Sequence, residues 1–336
     1  MRLILSLLVA AANLASARPR YGGTLVIETR AAVTALTSPP EILWLETLVA
    51  ESGPFRVAEF TPSRRLLVIA NDGHAAGRPF LDQIEVRLNR SLRDQLTSFE
   101  TGQADVIELP LTEIRRQQQR NRPIWTSSAL DLIALSFARS HTTTQSETLR
   151  RAIALSIDRQ PILNVLLQKH GEASASLLPH WLTGYGFLFP AQRDLARART
   201  LLSPKPAPLT LSFDPNDLLL RPIADRIALN TRDADIFLRV STAADADINL
   251  IRITGAPGEP GAALNYFCNA LSLFAGPRKE SFESLHSAER KALEGAWVIP
   301  LFHIPAVYGL SNRVRGWAPS NTHAWQLADV WLESAQ

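Results

Sequence analysis

The sequence predicts an α/β fold in which strands and helices alternate, and two observations carry that reading. Residues 52–110 read in succession as a hairpin, a strand, a helix and a further strand. Residues 209–213, 218–230, 236–240 and 247–253 then read as strand, helix, strand and strand. Alternation of this kind favours a largely parallel sheet. At 336 residues the chain is long enough for two domains.

Each element of the first stretch has a local cause. Phe55, Val57, Leu66 and Val68 lie in two short runs on either side of Thr61-Pro62-Ser63-Arg64, a break whose Pro and Ser suit a turn. Ile84, Val86 and Leu88 alternate with Gln83, Glu85 and Arg87, the pattern of a strand with one buried and one wet face. Ser91 with Asp94 three residues on predicts a capping box. Leu92, Leu96 and Phe99 form the apolar stripe of the helix so opened, and Gly102 stands where its C-terminus favours a left-handed residue. Residues 104–109 form the next strand, stopped by Pro110.

The rest of the chain yields to the same reasoning. Residues 21–27 read as an opening strand, 42–50 as an apolar helical piece after Pro39-Pro40, and 114–122 as a solvated helix end. Residues 130–137 form an apolar strand. Thr144 and Glu147 predict a second capping box before a helix whose Leu149, Ile153 and Ile157 share a face. Asp158 is expected to cap the helix after it. Residues 171–190 are a loop rich in Gly, Pro and aromatics: Trp181, Tyr185, Phe187 and Phe189. The spaced glycines of 255–261 read as a turn, because the interleaved prolines preclude the helix-opening amide cradle of a dinucleotide site. His303, inside an apolar run, reads as a core histidine, and Trp317, Trp325 and Trp331 as packing near the C-terminus.

Composition excludes several classes. Lys and Arg exceed Asp and Glu by only three, with no long basic run, which argues against a nucleic-acid partner. The single cysteine, Cys268, permits neither an internal disulfide nor a cysteine-based metal site. There is no nucleophile elbow, no His-Glu-x-x-His and no phosphate-binding loop. A binding protein without a cofactor or metal is therefore expected in preference to an enzyme. Residues 1–17 read as a secretory signal: Arg2, an apolar core, then Ala15-Ser16-Ala17 as cleavage site. No cysteine follows to carry a lipid anchor, so an exported, soluble, periplasmic protein is expected.

Several motifs in order resemble one family. Ser52-Gly-Pro-Phe-Arg-Val, Asn71, Gly77-Arg-Pro-Phe-Leu-Asp-Gln-Ile and Phe99-Glu-Thr-Gly-Gln-Ala-Asp-Val are similar to the family 5 extracellular solute-binding proteins, the peptide and nickel receptors of bacterial ABC importers. Leu149-Arg-Arg-Ala-Ile-Ala-Leu-Ser-Ile-Asp-Arg matches that family's helix signature, and 298–310 its return strand. The resemblance implies a two-lobed, type II periplasmic binding protein-like fold, with mixed sheets, flanking helices and the accessory domain largely missing. It implies lobe 1 from residues 18–134 plus 304–336 and lobe 2 from 135–303. The expected function is periplasmic binding of a peptide or similar solute for an ABC-type importer, as a monomer that hands its ligand to inner-membrane permease subunits. The alternative is an envelope scaffold or sensor accessory that kept the fold and lost the ligand.

The same resemblance implies a cleft lined from both sides by Phe137, Trp181, Tyr185, Arg252, Thr254 and Tyr266. Arg252 stands where the family is usually apolar, and its planar fork would suit a ligand carboxylate. The competing reading has Arg252 in solvent and the aromatics in the core.

Overall fold

The computed structural model describes residues 19–36, 48, 50, 52–185, 189, 191–202, 205–273, 281–317 and 325–333. The proposed signal at 1–17, nearly all of the 42–50 piece and Phe187 lie outside them.

Two sheets organise the described residues. The first takes β1 (Thr24–Glu28), β2 (Phe55–Thr61), β3 (Arg65–Ala70), β4 (Gln83–Arg87), β5 (Val106–Leu109) and β6 (Ile124–Thr126). The second takes β7 (Asp131–Phe137), β8 (Glu172–Ala173), β9 (Leu209–Phe213), β10 (Leu238–Ser241), β11 (Ile248–Ile253) and β12 (Val298–Ile304). The chain then returns, and β13 (Val307–Leu310) joins the first sheet between β5 and β6. Strand order is β2-β3-β4-β1-β5-β13-β6 in the first and β10-β9-β11-β7-β12-β8 in the second.

The sheets are mixed, not largely parallel as alternation alone predicts. β1 runs parallel to β4 and β5, and β9 parallel to β10 and β11. The β2–β3 hairpin and the strands around β7, β12 and β13 pair antiparallel. The hairpin needs no crossover, and the return strands enter next to strands running the other way.

Burial follows position. β4 alternates half-buried and buried residues, as its period-two pattern predicts. β12 is buried throughout and β7 almost so, as strands covered on both faces should be. Leu25, Ile27, Leu66, Val68 and Ile84 pack with Trp325 and Val330, so the C-terminal residues close the first sheet's core. Asp105 fastens them there: its carboxylate accepts from Val26 N at 3.0 Å, Ser311 Oγ at 2.8 Å and Arg313 Nη2 at 2.7 Å. Cys268 is buried, and His303 is fully buried with Nε2 3.1 Å from the Ser176 carbonyl. Burial pushes the His303 imidazole down to about 4, so it stays neutral.

Helix ends refine the expectations. Ser91 Oγ accepts from Asp94 N at 3.2 Å and caps the helix Leu92–Glu100. Ser91→Ala is expected to cost about 1 kcal/mol in urea denaturation; an unchanged midpoint would contradict the capping role. The helix Glu147–Ser156 is capped by Ser146, which accepts from Leu149 N, and not by Thr144. Thr144 Oγ1 instead donates to the His141 carbonyl at 2.9 Å. The 255–261 glycine stretch does lead into a helix, Pro260–Ala270. Pro260 occupies its first turn without loss, and the Glu259 carboxylate accepts from Gly261 N and Ala262 N.

Candidate functional site

The chain passes between the two sheets twice, through residues 127–130 and through Pro305 and Ala306. The two passages lie side by side. Ser127 N donates to the Ala306 carbonyl at 3.0 Å, and Ala306 N donates to Ser127 Oγ at 2.9 Å. Trp181, from the long aromatic loop, reaches the first passage: its Nε1 donates to the Ala129 carbonyl at 2.9 Å while the residue stays 40% exposed.

Charged groups gather on both sides of this crossing. On the second sheet, Asp131 opens β7 and is 1% exposed. Antiparallel register sets Arg252 of β11 opposite Ile133, two residues from Asp131 on the same strand. Arg252 Nη2 donates to Asp131 Oδ2 at 2.7 Å, and Nη1 lies 3.6 Å from Asp217 Oδ2. Its Nε has no acceptor among the described residues. On the first sheet, Glu108 of β5 accepts from Thr29 Oγ1 at 2.6 Å, Arg30 N at 2.9 Å and Arg30 Nε at 3.0 Å. Tyr308 of β13 pairs in register with Glu108 and is buried. Burial, then the negative charges of Glu108 and Asp131, push its phenol far above the ordinary range. One hydroxyl thus feels a carboxylate from each sheet and stays protonated.

The six residues expected to line a cleft from both sides all belong to the second sheet and its attached segments. Phe137 ends β7 at 4% exposure, packed in a core that also holds Leu135, Ile153 and Leu211, so its ring faces packed side chains and not open space. Arg252 is half-buried in its ion pairs and does not present a free fork. Thr254 contributes its carbonyl, which accepts from Tyr266 Oη at 2.6 Å. Tyr185 turns away to Glu289, its Oη donating to Oε2 at 2.7 Å. Of the six, Trp181 hydrogen-bonds the crossing and remains open to solvent. The first-sheet side, Arg30, Glu108 and Tyr308, escaped the sequence reading. Its signal was an acid stranded between Ile107 and Leu109 in an otherwise apolar strand.

No group of three or more potential metal ligands occurs among the described residues, and no helix among them is long and apolar enough to cross a membrane. The crossing offers polar and aromatic contacts between two sheets.

The family model for bacterial extracellular solute-binding proteins, family 5 (middle), matches residues 24–220. The oligopeptide-binding protein AppA of Bacillus subtilis is 23% identical over 124 residues, which is 37% of this chain and 23% of AppA. The probable D,D-dipeptide-binding periplasmic protein DdpA of Escherichia coli is 23% identical over 203 residues, 59% of this chain and 39% of DdpA. The chain thus spans well under half the length of these curated relatives. Among solved structures, the Helicobacter pylori periplasmic binding protein DppA in complex with the peptide STSA superposes with a TM-score of 0.69 at 17% identity. NikA of Brucella suis in complex with Fe(III)-EDTA gives 0.68 at 17% identity. Each comparison covers 84% of this chain, but 63% of the DppA chain and 68% of the NikA chain. The fold is that of periplasmic binding proteins, and this chain superposes on about two thirds of each of those neighbours.

Proposed function

Because the chain belongs to the family 5 bacterial extracellular solute-binding proteins, we propose that it binds a peptide or similar small solute between two lobes and delivers it to an ABC-type importer. The paired passage at Ser127 and Ala306 carries this reading. Two adjacent chain crossings are what a hinge between closing lobes requires. The proposed lobes follow sheet membership: residues 19–126 with 307–333, and residues 131–304. This moves the first boundary back from 134, since β7 pairs wholly with the second sheet.

Trp181 is the proposed aromatic wall, with Tyr266 and Thr254 behind it and Glu108, Arg30 and Tyr308 opposite. Tyr185 and Arg252 act as supports for those groups, and Phe137 stays in the core of the second lobe. The physiological partners are the solute and inner-membrane permease subunits; the site is a periplasmic, non-catalytic one on a monomer. A second reading, a scaffold that no longer binds solute, has one observation in its favour: Arg252 is already occupied by Asp131 and Asp217.

Thermal unfolding with di- to pentapeptides tests the choice. A ligand at a hundred times its Kd adds about 2.7 kcal/mol and raises Tm, and Trp181→Ala should abolish the gain. Absence of any shift across the peptides, with no solute found by mass spectrometry of the native protein, favours the scaffold.

A further inference from the structure

A cavity of about 740 Å³ lies within the second lobe, walled by Asp158, Arg159, Glu172, Ser174, His180 and Arg193. Its size suits a small molecule, whose pockets run to roughly 300–1,000 Å³. Two opposite charges on its wall have no charged partner among the described residues. Arg159 is 4% exposed, and its guanidinium meets only main-chain carbonyls: Nη1 to Ala191 O and Nη2 to Pro300 O, each at 3.1 Å. Nε has no acceptor, and no carboxylate pairs with Arg159 among the described residues. A buried guanidinium without a counter-charge is costly and is stabilised by an anion.

Asp158 precedes it in the chain at the N-cap position, yet its side chain makes no capping bond. Its main-chain N–H is bound to Asn230 Oδ1 at 3.1 Å, while the carboxylate has no partner among the described residues. Neighbouring residues of opposite charge therefore border one cavity without pairing with each other. Glu172 adds a half-buried carboxyl, of which Oε1 accepts from His180 N at 2.7 Å. Burial raises the Glu172 pKa. Arg193 is already spent on the Ser156 and Asn230 carbonyls and on Asp233.

We propose that this cavity is a second solute site, for a small zwitterion of the α-amino-acid type. The solute's carboxylate would offset the Arg159 guanidinium, and its ammonium would be held by Asp158 and Glu172. Neither half alone satisfies both walls, so the site discriminates against a simple carboxylate and a simple amine.

Equilibrium dialysis of the full chain with radiolabelled L-alanine tests this, with propionate and ethylammonium as competitors. Saturable alanine binding is expected, with each competitor weaker by about tenfold or more, the value of one charge-assisted hydrogen bond. Asp158→Asn should weaken alanine by a similar factor, and this variant removes no capping bond on which folding depends. Arg159→Lys, which keeps the charge and loses the fork, should also weaken it. No saturable alanine binding to the wild type, or alanine affinity unchanged in Asp158→Asn, overturns the proposal. So does binding that survives Asp158→Asn but is lost in Trp181→Ala, which would put the solute at the crossing instead.

Discussion

Asp131→Ala is expected to destabilise the folded protein by about 3–5 kcal/mol, the range for breaking a buried ion pair by removing one partner. Asp131 is 1% exposed and holds Arg252 Nη2 at 2.7 Å. Removing it strands a guanidinium whose Nε already has no acceptor among the described residues. Asp217 cannot take over, because its Oδ2 lies 3.6 Å from Nη1 and is more exposed. Asp217→Ala should accordingly cost far less, about 1 kcal/mol, as a partly screened pair. A double replacement, Asp131→Leu with Arg252→Met, should recover most of the loss, because an apolar pair of similar volume avoids desolvating two charges. Urea denaturation of the four proteins at one pH decides the matter. Equal losses for Asp131→Ala and Asp217→Ala would mean that Arg252 is not principally held by Asp131. The same experiment bears on the proposed solute site. An Arg252 variant that loses affinity for an anionic solute is informative only after its loss of stability has been measured.

Local chemistry was largely legible in the sequence, and pairing over long separations was not. The alternation of Ile84, Val86 and Leu88 against Gln83, Glu85 and Arg87 gives a strand buried on one face, and β4 is so buried. Ser91 caps its helix, because an N-cap bond joins residues three apart, although the Asp94 side chain does not close the box predicted with it. Thr144 failed as a cap because its hydroxyl had a nearer acceptor in the turn before it, leaving Ser146 to take the amide. Arg252 read as an available cation because nothing local pairs with it. Its partner lies 121 residues away, brought alongside only by the antiparallel register of β7 and β11. Alternation sets which face a residue uses; register sets which residue it meets, and register depends on both strands at once. The aromatics of the 171–190 loop divide for the same reason. Trp181 reaches the crossing while Tyr185 is drawn to a carboxylate in a helix that follows it by some hundred residues.

That carboxylate should make stability fall as pH rises. Glu289, in the helix Phe282–Ala292, is fully buried and anchors the aromatic loop. Oε1 accepts from Leu178 N at 3.0 Å and also from Leu177 N, while Oε2 accepts from Tyr185 Oη at 2.7 Å. Desolvation outweighs these three donors and raises the carboxyl to about 7, from 4.5 in the unfolded chain. The folded state therefore keeps a proton that the unfolded state has released between these values. Linkage makes the group's contribution fully present below about 4.5 and lost as pH rises to about 7, on the order of 3 kcal/mol. His141, held by Asp247 and Asp245 with its pKa raised, acts in the same direction at its own, higher window. Glu289→Gln separates the two. The neutral amide still accepts from Leu178 N, and the Tyr185 hydroxyl rotates to accept from the amide nitrogen, so the anchor survives without the titration. Urea denaturation of wild type should thus give lower stability at pH 8 than at pH 5, and Glu289→Gln should flatten the slope between pH 4.5 and 7. A slope unchanged by the substitution would show that Glu289 is not its source. Because Leu177, Leu178 and Tyr185 belong to the segment that carries Trp181, loosening this anchor at high pH should also loosen the wall of the proposed solute site. In hydrogen exchange the amides of 177–185 should therefore lose protection before those of β7.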